Sequence, residues 1–391
     1  MKAVLYYMKN DKNIVILSSY SFLDGKATSN RIKIFAQELE KKDYIRNIVI
    51  LALSHETEKE FNFSKKIKVK NILFREFNKN RFFIRALSEL RISFILWKEG
   101  KKYNPDLLLI SIPSLMLIVP SLFISKKFFT ILDIRDVVWN YLPKKPFLFV
   151  LKKIIEIFFA IVSRKFSLIT VTNVHEAELI KKISSKEILV VPNGISLQRV
   201  EELSQISFSK LNTKINLTYV GNVGIAQELE ILIKFAKANF DINITIVGSG
   251  ARTEYIRELI EFNNLKNIKL KKQVAFEELI KFYSMSDILF AQIGKDYVSA
   301  IPTKIFEYIA AGRRVLLGLP NEGIAKNMFS SFDGVEIFKS GDIDDMFTAY
   351  RNLLNNKFSK KDIANNLIKL KLEHLRENHT NLMIKSIDKI V

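Results

Sequence analysis

The hydrophobic pattern of the chain alternates short apolar runs with longer amphipathic stretches. Short apolar runs bounded by turn residues are typical of buried strands, and apolar residues at three- and four-residue spacing are typical of helices. The pattern predicts strands in the first half at 13–18, 47–53, 67–73, 107–111, 129–133, 168–172 and 188–191. Helices are predicted between them, for example at 31–41 and 83–102, and Asn173 followed by Glu176 predicts a capped helix start. Alternation of this kind indicates a parallel sheet covered by helices.

The same pattern restarts after a polar segment at 196–214, which we interpret as an irregular linker. The second set of strands is predicted at 215–220, 242–247, 268–270, 288–291 and 315–318, with helices starting near Ala226, Arg252, Phe276 and Thr303. We therefore predict an α/β protein with two Rossmann-like doubly wound domains facing each other across a cleft. The domains are predicted at 1–195 and 215–360, and a C-terminal helix at 361–391 is expected to pack back on the first.

The segment from Leu107 to Ile124 contains no charged residue and is long enough to raise the question of a membrane span. Pro113 and Pro120 interrupt it, and the turn-like Asn104-Pro105-Asp106 precedes it. A buried strand, a break at Pro113 and an apolar helix explain the segment better than a spanning helix does.

Composition narrows the possible functions of the chain. The sequence has 391 residues and no cysteine, which excludes a disulfide framework and a thiolate metal site and fits a reducing cytoplasm. The net charge of +20 is concentrated in residues 1–190, which carry +16. A basic surface attracts nucleic acid, anionic lipid or phosphorylated ligands. No nucleic-acid-binding motif is present, so we expect no nucleic-acid partner. A general bias toward Lys, Asn, Ile and Phe is the alternative explanation of the charge.

Two glycine turns follow predicted strands of the second domain. Gly221-Asn222-Val223-Gly224 comes directly after the strand at 215–220, and Val247-Gly248-Ser249-Gly250 ends the next strand. Glycine lets the backbone approach a ligand closely, and a helix that starts after such a turn favours a phosphate. A single turn of this kind is common, but two on neighbouring strand ends predict a site for an anionic ligand.

A third element, from Pro302 to Gly312, combines helix signals with two charged side chains. Proline favours the first turn of a helix, and Gly312 predicts its end. Lys304 falls in that first turn, where the helix dipole disfavours a cation, and an anionic ligand at the same end would relieve the conflict. Glu307, one turn on, offers two oxygens that suit the vicinal hydroxyls of a ribose. An exposed Lys–Glu pair without a function is the alternative.

In their order and spacing these motifs resemble the C-terminal half of family 4 glycosyltransferases with the GT-B fold. The resemblance is closest to the branch that builds bacterial O-antigen (lipopolysaccharide), capsular and other surface polysaccharides. It covers about residues 130–320 well and residues 1–125 only by layout. The motifs that carry it are Gly221–Gly224 with Ala226-Gln227, Val247–Gly250, Ser286-Asp287, Pro302–Gly312, Asp133-Ile134-Arg135-Asp136 with Trp139, and Val191-Pro192-Asn193-Gly194.

The resemblance implies a retaining glycosyltransferase, of the hexosyl or N-acetylhexosaminyl type, that uses a nucleotide-sugar and neither a metal ion nor another cofactor. The second domain would bind the donor through Gly221, Asn222, Gly224, Gly248, Gln273, Val274, Thr303, Lys304 and Glu307. Within that set, Glu307 would hold the ribose, Lys304 and the first glycine turn the diphosphate, and the backbone at Gln273-Val274 the base. The implied catalytic residues are Asp136, Lys304 and Glu307, and the implied acceptor side contains Gly25, Arg135 and Asp136.

The implied acceptor is a glycan, on a polyprenyl-pyrophosphate lipid, reached from the inner face of the cytoplasmic membrane. The segment from Pro146 to Phe166 supports this placement, because its apolar residues are interleaved with Lys152, Lys153, Arg164 and Lys165. Such a pattern predicts a helix in the interface of an anionic membrane. A helix buried between the domains is the alternative. We expect a cytoplasmic protein associated peripherally with the membrane.

The sequence also departs from the family pattern. Many members have a glutamate eight positions before Glu307, where this chain has Ser299, and many have Arg and Lys where this chain has Asn222 and Gln227. The acceptor-domain histidine of several members has no clear counterpart here. Two alternatives therefore stay open: a sugar-nucleotide epimerase with the same two-domain layout, and a catalytically weak partner protein of a polysaccharide-assembly complex.

Overall fold

The structure is a computed structural model that describes residues 11–22, 27–54, 58–74, 82–112, 115–123, 129–141, 146–208 and 211–389. The chain divides into two compact units, which are treated separately below. Unit 1 comprises Met1–Asn193 and Arg376–Val391, and unit 2 comprises Gly194–Leu375. Among the described residues, no helix is both long enough and apolar enough to cross a membrane.

Unit 1 is built on an eight-stranded sheet. Its strands β1 to β8 are Lys12–Ser18, Ile45–Ser54, Lys59–Asn62, Ile67–Leu73, Leu107–Ile112, Phe129–Ile134, Leu168–Val171 and Ile188–Val190. Their order is β3-β4-β2-β1-β5-β6-β7-β8, and all neighbours are parallel except the antiparallel pair β3 and β4. The order reverses between β1 and β5. At such a switch point the C-terminal ends of the strands leave a crevice in which α/β proteins bind ligands.

Helices cover both faces of this sheet. They are α1 (Ala27–Glu40), α2 (Phe82–Lys101), α3 (Pro146–Ser163), α4 (Val174–Lys181) and α13 (Arg376–Asp388), with 3-10 helices at Leu115–Phe123 and Val138–Tyr141. All six residues of β5 are buried, as expected for a strand covered on both faces. Helices α1 and α13 pack on one face, where Phe35, Met383 and Ile387 share a hydrophobic cluster. The C-terminal helix of the chain is thus part of the core of unit 1.

Unit 2 is built on a six-stranded, fully parallel sheet. Its strands β9 to β14 are Ile215–Val220, Ile242–Val247, Ile268–Lys271, Ile288–Gln292, Arg314–Leu319 and Val335–Lys339. Their order is β11-β10-β9-β12-β13-β14, the doubly wound order in which the first and fourth strands are neighbours. The helices α5 to α12 are Leu197–Ser204, Glu230–Ala238, Thr253–Phe262, Phe276–Met285, Lys304–Ala310, Ile324–Phe329, Ile343–Asn355 and Lys360–Glu373. The switch point lies between β9 and β12.

Two stretches differ from the sequence-based expectation. Residues 196–214 were expected to be irregular, but they contain α5, which begins at the cap Ser196 and buries Val200 and Leu203. The helix has only three apolar positions, Leu197, Val200 and Leu203, which are too few to establish a helical period. The polar composition of the segment therefore led to the wrong prediction of an irregular linker. The predicted C-terminal helix is broken at His374 and Leu375, which separate α12 of unit 2 from α13 of unit 1.

Candidate functional site

The two glycine turns of unit 2 lie against each other at the C-terminal ends of β9 and β10. The Gly221 amide donates to Val247 O at 3.0 Å, and the Val223 amide donates to Ser249 O at 3.0 Å. A Cβ on Gly248 would lie 1.8 Å from Gly221 O. Glycine is therefore required at Gly248 by the neighbouring turn itself, before any ligand is considered. The predicted donor-binding residues Gly221, Asn222, Gly224 and Gly248 are brought together in this way.

The first turn does not lead directly into an α-helix. A 3-10 helix at Ile225–Gln227 follows Gly224, and α6 begins only at Glu230. Between them Glu228 adopts a left-handed conformation with φ of 44°. The Asn222 side chain donates to Gln227 Oε1 at 3.3 Å, so the two positions that depart from the family pattern contact each other. The expectation of a helix start near Ala226 is therefore wrong by about one turn.

Helix α9 is fastened to the end of β9 by a buried tyrosine. The Tyr308 hydroxyl donates to Val220 O at 3.0 Å and accepts from the Val220 amide at 2.9 Å. Gly312, with φ of +64°, follows the helix and allows the chain to turn into β13. Because Val220 directly precedes Gly221, this contact places helix α9 beside the glycine turns at the C-terminal ends of the strands.

Lys304 and Glu307 lie together on α9. Lys304 Nζ is 2.8 Å from Glu307 Oε2, and the buried Tyr283 hydroxyl donates to the same oxygen at 2.9 Å. Among the described residues nothing donates to Glu307 Oε1. The side chains of Lys304 and Glu307 are 31% and 21% exposed, so this end of the site is open to a ligand.

The charge of Glu307 is stabilised from three directions. Burial alone would raise the pKa of its carboxyl group, but Lys304, Arg199 and the Tyr283 hydroxyl together lower that pKa below its usual value. Arg199 lies on α5, where its guanidinium stacks on the ring of Phe276 and pairs with Glu202 at 3.5 Å. Sequence reasoning missed Arg199 and Tyr283. Neither belongs to a motif, and Arg199 lies in the segment interpreted as a linker.

The remaining predicted donor-side residues lie around these elements. Gln273 is exposed after β11, and its Oε1 accepts from Ser249 Oγ of the second glycine turn at 3.3 Å. Val274 packs against the core of unit 2 just before α8, and Thr303 is the residue that precedes α9. Ser299, which stands where a second glutamate was expected, is 2% exposed.

In unit 1 the residues after β6 were expected to form the acceptor side. Asp133, at the end of β6, is saturated: it pairs with Arg31 at 2.8 Å and accepts from Thr170 at 2.7 Å and Ser111 at 3.1 Å. Burial by itself raises the pKa of Asp133, but Arg31, Arg135 and the Thr170 hydroxyl keep that pKa below its usual value. Arg31 also donates to Val191 O at 2.9 Å. This buried ion pair orders the strand end, and sequence reasoning did not identify Arg31.

Arg135 and Asp136 follow directly. Arg135 is 7% exposed, whereas Asp136 is exposed, and the protein around Asp136 nevertheless displaces enough water to raise its pKa. Behind them, Asn173 caps α4 by accepting from the Glu176 amide at 2.9 Å, and the Glu176 carboxylate accepts from Thr172. Burial raises the pKa of Glu176 to about 7. Gly25, the third predicted acceptor-side residue, lies outside the described residues.

Metal ligation was not expected. In the described part of the chain no three His, Asp or Glu side chains are grouped so that they could hold a metal ion. Asp342 and Asp344 are two carboxylates separated by one residue. Asp342 serves as the cap of α11, where its side chain accepts a hydrogen bond from the Asp345 amide at 3.2 Å.

The part of the chain that contains the Lys304–Glu307 pair is similar to a known protein family. Residues 201–370 match the family model described as Glycosyl transferases group 1. The matched region covers most of unit 2. A search of curated protein sequences finds no match.

Solved structures share the fold over nearly the whole chain. Sucrose-phosphate synthase from Thermosynechococcus elongatus superposes with a TM-score of 0.77 at 13% identity, covering 97% of this chain and 99% of the other. The trehalose-6-phosphate protein of E. coli bound with UDP-2-fluoro glucose gives 0.70 at 13% identity, with the same coverage of 97% and 99%. A lipopolysaccharide outer core galactosyltransferase gives 0.60 at 14% identity, with 96% and 99% covered. The α/β fold with two parallel sheets is the GT-B fold of these structures.

Proposed function

We propose that the protein is a retaining glycosyltransferase that moves a sugar from a nucleotide-sugar donor, bound by unit 2, to a glycan acceptor. The observation that carries the proposal is the Lys304–Glu307 pair on α9, held beside two glycine turns within a group 1 glycosyltransferase domain. One solved structure with this fold is bound with UDP-2-fluoro glucose, a nucleotide-sugar analogue. The hexosyl or N-acetylhexosaminyl type and membership of family 4 are part of the proposal.

The contacts of Glu307 suit the binding of a ribose. Tyr283 and Lys304 both donate to Oε2, which leaves Oε1 to accept from a ribose hydroxyl. A carboxylate kept ionised by its neighbours makes charge-assisted hydrogen bonds, which are about twice as strong as neutral ones. The hydrogen bond from the Tyr283 hydroxyl keeps the Glu307 carboxylate in position when Lys304 turns toward the ligand.

Lys304 suits the departing diphosphate. In retaining transfer the bond from the sugar C1 to the phosphate oxygen breaks, and the acceptor oxygen bonds to C1 on the same face. Negative charge accumulates on the leaving phosphate, so a nearby ammonium group stabilises the transition state more than the bound donor. The acceptor hydroxyl passes its proton to the departing phosphate oxygen in the same step, and Asp136 of unit 1 is the proposed acceptor-side group.

The acceptor is proposed to be carried on a polyprenyl-pyrophosphate lipid at the inner face of the cytoplasmic membrane. Helix α3 supports this with two apolar faces. Phe159 and Val162 lie on the first face and are buried in the core of unit 1. A second face contains Val150, Ile154, Ile157 and Ile161, each more than half exposed, at the spacing of one helix face.

Basic side chains flank the exposed face of α3. Lys153 lies within it, and Arg164 and Lys165 follow its end, all of them exposed. Two of the ammonium groups are already engaged: Lys152 donates to Asn140 at 2.9 Å, and Lys153 pairs with Glu156 at 2.8 Å. An apolar stripe with basic flanks favours the interface of an anionic membrane.

The proposed activity is tested by incubating the protein with a panel of labelled nucleotide-sugars, with and without a membrane extract as acceptor. Transfer of label to the extract, lost in a Lys304→Ala variant, is the expected result. Release or inversion of the sugar without an acceptor would favour the epimerase alternative. Absence of any turnover or donor binding would favour the partner protein and contradict the proposal.

A further inference from the structure

The guanidinium of Arg135 is the most unusual charged group of unit 1. The side chain is 7% exposed, and among the described residues neither Nε nor Nη1 has a hydrogen-bond partner. Its backbone is engaged, through an amide that donates to Ile112 O and a carbonyl that accepts from Thr172. Most buried polar groups are hydrogen-bonded, so two free donors on one buried cation require an explanation.

The neighbouring carboxylates do not provide one. Asp133 acts on Arg135 through its charge, but its oxygens are already occupied by Arg31, Ser111 and Thr170. Asp136 also attracts Arg135, yet no hydrogen bond joins the two side chains in the described structure. Arg31, the second cation here, repels Arg135. The cluster thus contains two guanidinium groups. Among the described residues Arg31 forms an ion pair with Asp133, and Nε and Nη1 of Arg135 have no hydrogen-bond partner.

A buried guanidinium without hydrogen bonds is costly, because desolvation is not offset by new contacts. Each of the two donors Nε and Nη1 lies beside Nη2, and either Nε with Nη2 or Nη1 with Nη2 forms a planar fork that fits two oxygens of a phosphoryl group. The location also suits a ligand, since Arg135 directly follows β6, next to the switch point of the sheet.

We propose that Arg135 is the anion-binding residue of a phosphoryl subsite in unit 1, and that the group it takes belongs to the acceptor. The second half of this proposal rests on the proposed function. Arg31 and Arg135 together balance Asp133 and Asp136, so the subsite has no excess positive charge before binding. Affinity for inorganic phosphate is therefore expected to be modest, with a Kd of about 1 mM or higher, and the rest of the acceptor must add to it.

The test compares phosphate binding by the parent protein, Arg135→Gln and Arg46→Gln, measured by calorimetry with inorganic phosphate. Arg46 is the matched control, because it is exposed at the N-terminal end of β2, whereas Arg135 follows the C-terminal end of β6 in the same sheet. Phosphate bound by unit 2 contributes equally in all three proteins. We expect at least a tenfold loss of the unit 1 binding event in Arg135→Gln and no change in Arg46→Gln. Equal binding in all three proteins would overturn the subsite.

Two further arms identify the source of the phosphoryl group. One uses a soluble sugar 1-phosphate, and the other uses a polyprenyl pyrophosphate in phosphatidylcholine vesicles. Dependence on Arg135 in the vesicle arm assigns the subsite to a lipid-linked acceptor, and dependence only in the soluble arm assigns it to a free sugar phosphate. Dependence in neither arm overturns the assignment to the acceptor.

Thermal unfolding separates a binding role from a structural one. Replacing a buried unpaired charge with an apolar residue of similar size removes a desolvation cost. Arg135→Met should therefore raise the Tm of the unliganded protein, by about 2–4 °C, and abolish the stabilisation by phosphate. A lowered Tm with phosphate stabilisation intact would show a structural role. Phosphate binding through Arg135 without sugar transfer would contradict the proposed function alone, and transfer with unchanged phosphate binding would contradict the subsite alone.

Discussion

Unit 1 and unit 2 both have charged side chains near the C-terminal ends of the strands of a doubly wound sheet. The two units differ in how far these side chains are buried and paired. In unit 2 the cation and the anion of the site, Lys304 and Glu307, are partly exposed and already paired. In unit 1 the buried anion Asp133 is paired with Arg31, and Arg135 keeps two free donors. A ligand of unit 2 must therefore compete with an existing ion pair, whereas a ligand of unit 1 would relieve an existing desolvation cost. Substitutions should affect binding and stability in different proportions in the two units.

The largest effect is expected on the stability of unit 1. Asp133→Ala leaves Arg31 buried without its ion-pair partner, which should lower the free energy of unfolding by about 3–5 kcal/mol. Urea unfolding followed by circular dichroism measures this loss. The exposed Asp43 is the control, and Asp43→Ala should change stability by at most about 0.5 kcal/mol. A loss below about 1 kcal/mol for Asp133→Ala would contradict a structural role of the ion pair.

The next largest effect is expected on turnover in unit 2. Lys304→Ala should lower kcat by about 10²–10³-fold, because the ammonium group acts chiefly on the departing diphosphate. Donor affinity should change by less than about tenfold. Steady-state transfer to a membrane extract measures both, with Lys234→Ala, exposed on α6, as the control. Weaker donor binding with an unchanged kcat would make Lys304 a ground-state contact only.

A smaller effect is expected from the residue that positions Glu307. Tyr283→Phe removes one hydrogen bond to a carboxylate, which is worth about 1.5–3 kcal/mol, so donor affinity should fall by about tenfold or more. The pKa of Glu307 should rise at the same time, since one of the contacts that lowers it is lost. Donor affinity of the variant should therefore begin to fall at a higher pH than in the parent as the pH is lowered. Tyr255→Phe serves as the control, and an unshifted pH profile would argue against this role.

The smallest effect per residue is expected at the membrane. Replacing Arg164 or Lys165 with Gln should weaken binding to vesicles of acidic lipid by about fivefold each, the equivalent of about 1 kcal/mol. Lys152→Gln and Lys153→Gln should have less effect, because Lys152 is engaged with Asn140 and Lys153 with Glu156. Co-sedimentation at increasing salt measures the difference, and donor affinity should stay the same. Equal binding to neutral and acidic vesicles would show that the basic side chains of unit 1 do not bind anionic lipid.

The fold could be predicted from local signals, but only part of the site could. Strand β5 was expected at 107–111 and lies at Leu107–Ile112, and α9 begins and ends where Pro302 and Gly312 indicate. The contacts that stabilise the charges of Asp133 and Glu307 include partners from distant parts of the sequence. Arg31 and Asp133 are 102 positions apart, and Tyr283 reaches Glu307 from a different helix. Periodicity and turn residues contain no information about such pairs, so Arg31, Arg199 and Tyr283 were not identified.

The sequence also could not predict that two donors of Arg135, Nε and Nη1, lack hydrogen-bond partners among the described residues. Asp133, Arg135 and Asp136 are close together in the chain, and their composition is compatible with mutual pairing. Arg31 comes from α1 and pairs with Asp133, and among the described residues Nε and Nη1 of Arg135 have no hydrogen-bond partner. The sequence suggested the place of the acceptor side, and the three-dimensional structure supplies the reason to expect an anion there.

Donor binding to unit 2 through Glu307 is the central claim, and calorimetric titration with a panel of nucleotide-sugars tests it most directly. The parent protein should bind at least one of them, and Glu307→Ala should weaken that binding at least tenfold, or about 1.4 kcal/mol, because charge-assisted hydrogen bonds to the ribose are lost. Glu258→Ala, an exposed glutamate of α7, should bind like the parent. Equal donor affinity in the parent protein and Glu307→Ala would contradict the claim.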